Sequence, residues 1–300
     1  MTATARPTHA DLPWYASSGP DLLVHGIPLA RLAERIGATP FYAYDRALLS
    51  ARVAHLRRVL PPAVQLHYAL KANPMPAVVQ HMRGLVDGFD VASHREMLVA
   101  LDAGMPAAEV SFAGPGKRRA ELRAAVAAGI TVNAESEHEL ELLAEEGASL
   151  GITPRVAIRV NPDFELKGSG MKMTGSPRQF GIDADRVPAA LARSGELGLA
   201  FRGLHIYSGS QNLRADAVIE ANDRTFELAI ALAGHAPSPL AFLNIGGGYG
   251  IPYFPGDQAL DVAAIGANLD RWLPRVRERL GGTAVVVELG RYLVGEAGLY

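Results

Sequence analysis

Apolar positions along this chain fall into short blocks that alternate with longer segments of helical period. The blocks stand at 65–71, 88–93, 110–113, 130–134, 155–160, 201–207, 242–246 and 284–289. Each has the length of a strand buried on both faces rather than that of a helix. Segments between them, such as Lys117 to Ala128 and Glu137 to Glu146, space their apolar residues three and four apart, as an amphipathic helix does. Eight strands alternating with helices predict an α/β chain of the (β/α)₈ TIM-type barrel class. A doubly wound sheet would share the pattern, because periodicity carries no information about closure.

Shorter elements precede the first block. Leu22 to Leu29 reads as a hairpin leading into a helix, and Thr39 to Asp45 as another strand. Asp45 is placed to cap a helix beginning near Arg46. Residues 1–20 are polar and proline-bearing, the composition of a loose arm. The longest irregular stretch, Asn161 to Asp183, follows the fifth strand and contains Lys167-Gly168-Ser169-Gly170-Met171-Lys172-Met173-Thr174-Gly175-Ser176. Loops after barrel strands lie on the active face, so this one is expected to act as a lid; a tolerated surface insertion is the alternative.

Composition narrows the function classes. The chain has 300 residues, 49% hydrophobic and 20% charged, with a net charge of −2. No basic stripe points to nucleic acid, and no apolar run is long enough to span a bilayer. There is no cysteine, which excludes disulfides and thiolate chemistry within the chain. Met1 to Asp11 lacks an apolar signal core, so a cytoplasmic enzyme is the expectation. No metal motif stands out, since His138-Glu139 lacks the second histidine of H-E-x-x-H.

Candidate chemistry gathers at strand ends. In Leu66-His67-Tyr68-Ala69-Leu70-Lys71-Ala72-Asn73-Pro74 an apolar strand runs into one lysine and then a turn. Poor solvation is expected to lower the pKa of Lys71, and a neutral amine can attack a carbonyl to form a Schiff base. A solvated strand-end lysine is the plainer reading. Gly246-Gly247-Gly248 lets backbone N–H groups converge on an anion, without the spacing of a dinucleotide fingerprint or a P-loop. Barrels commonly bind phosphate through the loops after strands 7 and 8, where this run and Gly290-Arg291 fall. His205 and Tyr207 share one side of the sixth strand. Glu288, after Ala284-Val285-Val286-Val287, is a carboxylate that requires a partner. That partner is either a protonated ring nitrogen or Arg291.

Four of these motifs together resemble the fold-type III pyridoxal-phosphate decarboxylases, which act on diaminopimelate, ornithine and arginine. They are Tyr68-Ala69-Leu70-Lys71-Ala72-Asn73, His205-Ile206-Tyr207-Ser208-Gly209, Gly246-Gly247-Gly248 and Glu288-Leu289-Gly290-Arg291, in the family's order. The resemblance spans about residues 20 to 300. It implies an alanine racemase-like barrel with pyridoxal 5'-phosphate on Lys71. It implies that His205 stacks on the cofactor ring and that Ser208, the three glycines and Gly290 serve the phosphate. Glu288 would pair with the pyridine nitrogen, and Arg291 would hold the phosphate or the substrate carboxylate. Asp90 and Glu96 resemble acidic family residues near the cofactor, and Arg159 resembles an arginine ending the fifth strand; supporting structure is the alternative for all three. Leu289 replaces the family's proline, and Gln179 in Arg178-Gln179-Phe180-Gly181-Ile182 replaces a lysine. The Met-Lys-Met run resembles a subgroup associated with bacterial exosortase and exopolysaccharide systems.

The implied reaction is decarboxylation of an amino acid at Cα. Diaminopimelate is the first substrate expected, because Gly26 to Asp45 looks most like that branch. An amino-acid racemase on the same barrel is one alternative, although racemases of this fold are expected to set an arginine against the ring nitrogen. A non-catalytic pyridoxal-phosphate carrier is the other. Family members continue into a β-domain whose cysteine and tyrosine complete the site, the cysteine across a homodimer interface. Residues 1–45 are therefore expected to be an arm and strands of an otherwise missing C-terminal β-domain, and 46–300 the cofactor barrel. Strands at 22–29 and 39–44 are expected to keep unpaired edges.

Overall fold

The computed structural model describes residues 9, 10, 12–18, 21–164, 171, 172 and 179–300. The expected arm at 1–20 lies partly outside them. The expected lid does so largely: of Lys167 to Ser176, the backbone of Met171–Lys172 is described, and it pairs antiparallel with Gly209–Ser210.

Eight parallel strands form a closed barrel: β1 Val64–Ala69, β2 Gly88–Val91, β3 Val110–Phe112, β4 Thr131–Ala134, β5 Arg155–Asn161, β6 Ala200–Ile206, β7 Phe242–Gly247 and β8 Ala284–Leu289. Pairing of β4 with β5 and of β8 with β1 completes the ring, so the doubly wound alternative is excluded. Helices follow each of the first seven strands: α1 Pro76–Arg83, α2 His94–Asp102, α3 Arg119–Ala128, α4 Glu137–Leu150, α5 Val187–Glu196, α6 Ala215–Ala233 and α7 Val262–Leu280. The helix Arg46–Val59 precedes β1 and packs against α1 and α7, filling the eighth place in the outer layer.

Local chemistry explains the boundaries. The Asp45 side chain accepts from the Ala47 N–H, and Ser93, Ser136 and Asp261 cap α2, α4 and α7 in the same way. Gly129 and Gly151 end α3 and α4 in the left-handed conformation. The first apolar block extends past its strand: β1 stops at Ala69, and Leu70–Ala72 forms a 3₁₀ turn. That turn is held by Asn73 N–H to the Leu70 carbonyl and by the Tyr68 hydroxyl donating to the Asn73 carbonyl at 2.9 Å.

Strand alternation divides the side chains into two layers. Leu66, Tyr68, Phe89, Val91, Val285 and Val287 join the apolar core. The opposite set carries His67, Asp90, Ser111, Asn133, Arg159, His205, Asn244 and Glu288, all buried. Register places Glu288 beside His67, and His205 between Arg159 and Asn244. The barrel interior is therefore a polar layer.

The N-terminal segment forms the expected hairpin, Asp21–Val24 with Ile27–Pro28, followed by the helix Leu29–Ile36. Ser17–Ser18 adds a third strand. Of the strand expected at 39–44, Ala43–Tyr44 pairs antiparallel along one edge with Gly298–Leu299 in a two-stranded sheet.

Candidate active site

A cavity of about 600 Å³ opens at the carboxyl ends of the strands. Lys71, Arg159, Tyr207, Gly248, Glu288 and Arg291 lie on its wall. The 3₁₀ turn carries Lys71 to the rim, and its Nζ lies 3.1 Å from Glu288 Oε1 and 5.4 Å from the Tyr207 ring centroid. The Lys71 side chain is 53% exposed, whereas that of Glu288 is 2% exposed. Glu288 Oε2 lies 3.2 Å from His205 Nε2 and 3.4 Å from Asn244 Nδ2.

These contacts correct one expectation and decide one alternative. The Lys71 ammonium is raised rather than lowered: the Glu288 charge outweighs the opposing effect of burial. Burial by itself would push the Glu288 carboxyl up, but the charge of Lys71 and the contact with His205 hold it well below the usual carboxylate range. Arg291 is not the partner of Glu288. Its guanidinium donates to Gln211 Oε1 at 3.2 Å and stands 5.7 Å from the Tyr253 ring centroid.

The other candidates separate into those on the cavity and those behind it. Arg159 reaches the wall under the Phe180 ring, 4.9 Å from its centroid, with Nη1 donating to Glu135 Oε1 at 2.8 Å. His205 is buried behind Glu288, its ring edge-on to Tyr207. Ser208 follows β6, but Ser210 is the serine of that loop on the cavity wall. Gly246 and Gly248 have φ of +71° and +73°, which favours glycine at both. The Gly246 N–H is already given to Asn244 Oδ1 at 2.8 Å. Gly290 brings the β8 turn against the Lys71 turn, where a Cβ would meet that of Ala72 at 2.9 Å. Asp90 points into the barrel below the cavity, with His67 Nδ1 at 3.1 Å and the Ser111 hydroxyl donating to it. Glu96 caps α2, accepting from the Ala92 N–H at 2.8 Å.

Sequence reasoning passed over Glu135 and the role of Asn244. Glu135 follows β4 directly and accepts from Arg159, from the Gly114 N–H and from the Gly181 N–H. One buried carboxylate thus ties the ends of three loops together. Its position just past a barrel strand was the available signal.

The residues present fit pyridoxal phosphate. Lys71 offers an amine beside a buried ionised carboxylate. A Cβ on Gly246 or Gly247 would strike Tyr207 or the Glu288 carbonyl, so only glycine lets the turn pack this closely against β6 and β8 and bring its backbone to the cavity where Gly248 lies on the wall. His205 Nδ1 is buried without a partner among the described residues. An aromatic, anionic group with a protonated ring nitrogen suits this donor and acceptor set.

Comparison with known proteins gives concordant results. A family model described as "Pyridoxal-dependent decarboxylase, pyridoxal binding domain" matches residues 46–295. The chain is 37% identical over 265 residues to an L-glutamyl-[BtrI acyl-carrier protein] decarboxylase of Niallia circulans, covering 87% of this chain and 62% of that protein. It is 35% identical to a diaminopimelate decarboxylase of Pseudomonas aeruginosa, covering 93% and 66%. The solved structure of AQ1208 from Aquifex aeolicus superposes with a TM-score of 0.82 at 31% identity, over 95% of this chain and 66% of that one. The chain thus spans slightly less than two thirds of the length of these relatives.

Proposed function

We propose a function from one premise: the chain belongs to the pyridoxal-dependent decarboxylases, as their pyridoxal-binding barrel. The proposed reaction is loss of CO₂ from Cα of an amino acid. The observation that carries it is the pair of Lys71 and Glu288 at the cavity, an amine on the rim against an ionised buried carboxylate.

Pyridoxal phosphate, when bound, supplies an electron sink for the carbon that loses CO₂. The chain's own residues do the rest. Lys71 Nζ provides the amine that holds the aldehyde. Glu288, ionised and buried, favours a proton on a nitrogen set against it, which strengthens the sink. His205 and Asn244 fix the Glu288 carboxylate from behind. Gly247 and Gly248, with Ser208 and Arg291, would hold the phosphate, and Arg291 also suits a substrate carboxylate. Tyr207, Phe180 and Tyr253 line the cavity with aromatic surface that excludes water. Glu288 occupies the place where a racemase would need an arginine, which supports decarboxylation over that alternative.

A free diamino diacid such as diaminopimelate is the first substrate, supported by relatives of that name. A second reading, an amino acid presented on a carrier protein, has the support of the 37% identical relative. A homodimer in the cell interior belongs to the same proposal and rests on the resemblance. Borohydride reduction of the loaded protein followed by peptide mapping should place the pyridoxyl label on Lys71; a label on Lys117 refutes the assignment. Release of CO₂ from diaminopimelate, scored against carrier-bound glutamate, then separates the two substrates.

A further inference from the structure

The barrel has a second cavity, at the mouth opposite Lys71. It has a volume of about 210 Å³ and is lined by residues at or near strand starts, among them Arg155, Arg202, His67 and Glu109. None of these belongs to the site described above. Arg155 opens β5. Arg202 is the extra residue of a β-bulge, since Phe201 pairs with Val156 and Gly203 with Ala157. A bulge re-aims a side chain, and this one sets Arg202 on the cavity wall beside Arg155.

The cations here are poorly compensated. Arg202 Nε is buried and has no hydrogen-bond partner among the described residues. Among the described residues the Arg155 guanidinium has only long hydrogen bonds, 3.4 Å each, to the Gly129 and Ala108 carbonyls. Burial, then the Arg202 charge, lower Arg155, while Glu109 opposes them. His67 is more than nine-tenths buried, and its Nε2 also lacks a partner on the same cavity. The Asp90 carboxylate is engaged by His67 and Ser111, which among the described residues leaves exposed Glu109 as the remaining acid on this wall to offset Arg155.

We propose that this cavity is a second ligand site, which holds a small oxyanion between the guanidinium groups of Arg155 and Arg202. A buried N–H without an acceptor and two adjacent like charges are both costly. One bound oxyanion relieves both, and the planar fork of arginine matches phosphate, sulfate or carboxylate. Asn244 lies on this cavity and also reaches Glu288, so one residue separates the two sites. The inference does not depend on the reaction proposed for the upper site.

The test uses protein saturated with pyridoxal phosphate, so that the upper phosphate cradle is filled. Sulfate, inorganic phosphate and acetate are titrated separately by calorimetry. The expected result is one equivalent of at least one of these anions, with binding weakened roughly tenfold or more in Arg202→Gln and in Arg155→Gln. Glu109→Gln should tighten it. Binding of acetate alone assigns a carboxylate, and of sulfate or phosphate a tetrahedral oxyanion. Equal affinity in both arginine variants overturns the proposal, as does the absence of binding by all three anions. Should either variant fold poorly, selenate soaked into crystals of the unaltered protein decides: an anomalous peak between Arg155 and Arg202 is expected, and its absence overturns the site.

Discussion

Lys71 and Glu288 show how far one contact can change a residue's chemistry. A lysine at the end of an apolar strand suggests an amine poised as a neutral nucleophile. Placed 3.1 Å from a buried carboxylate, it is instead held as an ammonium. Capture of pyridoxal phosphate by cofactor-free protein should therefore be slow at neutral pH and accelerate as pH rises toward the raised Lys71 value. Glu288→Gln removes the charge that raises Lys71, so its capture profile should move to lower pH, read by stopped-flow absorbance. The same variant should lose about 10²-fold in decarboxylation, because a neutral amide does not favour a protonated ring nitrogen. Unchanged turnover would remove the electron-sink argument and reopen the racemase alternative.

Elements act through where they end and how closely they approach. β4 ends at Ala134, and the next residue, Glu135, gathers Arg159, Gly114 and Gly181. Glu135→Gln keeps the size but weakens a charge-assisted contact. Turnover should fall about tenfold or more through misplaced Arg159, while the circular dichroism spectrum stays native. A full-rate variant would make Glu135 dispensable for positioning. Close approach sets a second element-scale expectation. A Cβ on Gly266 in α7 would lie 2.0 Å from the Val59 carbonyl at the end of the helix before β1. Gly266→Ala must separate two backbones and should cost about 1–3 kcal/mol, seen as a melting temperature lowered by several degrees. An unchanged melting temperature would contradict that packing.

At the scale of the molecule, the barrel encloses charged groups and its stability depends on their pairing. Glu288 is depressed, so its contribution is present above the ordinary carboxylate pKa and is lost as pH falls through the folded value. Lys71 is raised, so its contribution is present below the ordinary lysine pKa and is lost as pH rises through the folded value. Between about pH 4.5 and 10.5 the pair should contribute steadily. Lys71→Met leaves Glu288 buried without its cation, and its carboxyl should rise. The melting-temperature deficit of that variant should be largest at neutral pH and shrink on acidification, as the carboxyl takes up a proton. A deficit independent of pH would show that the pair is not what stabilises this part of the barrel.

Much of this was written locally. Runs of Val, Leu and Ile of strand length, separated by helical periods and by Asp, Ser and Gly punctuation, are local signals. All eight strands and the Asp45 cap were legible for that reason. That Lys71, Gly248, Glu288 and Arg291 stand at strand ends on one face of the barrel was legible too, because strand ends and glycine turns mark that face. Partnership was not legible. Lys71 and Glu288 stand 217 positions apart, and closure of β8 on β1 brings them together. Pairing of neighbouring strands turned Asp90 toward His67 and Ser111 and set Arg155 beside Arg202 at the far mouth, and the loops after β6 and β8 meet where Arg291 reaches Gln211. Residue type and spacing determine what a side chain can do and which element carries it. Which charge it meets, and hence its protonation and its role, was decided only when the sheet closed, because electrostatic partnership depends on distance in space and not along the chain.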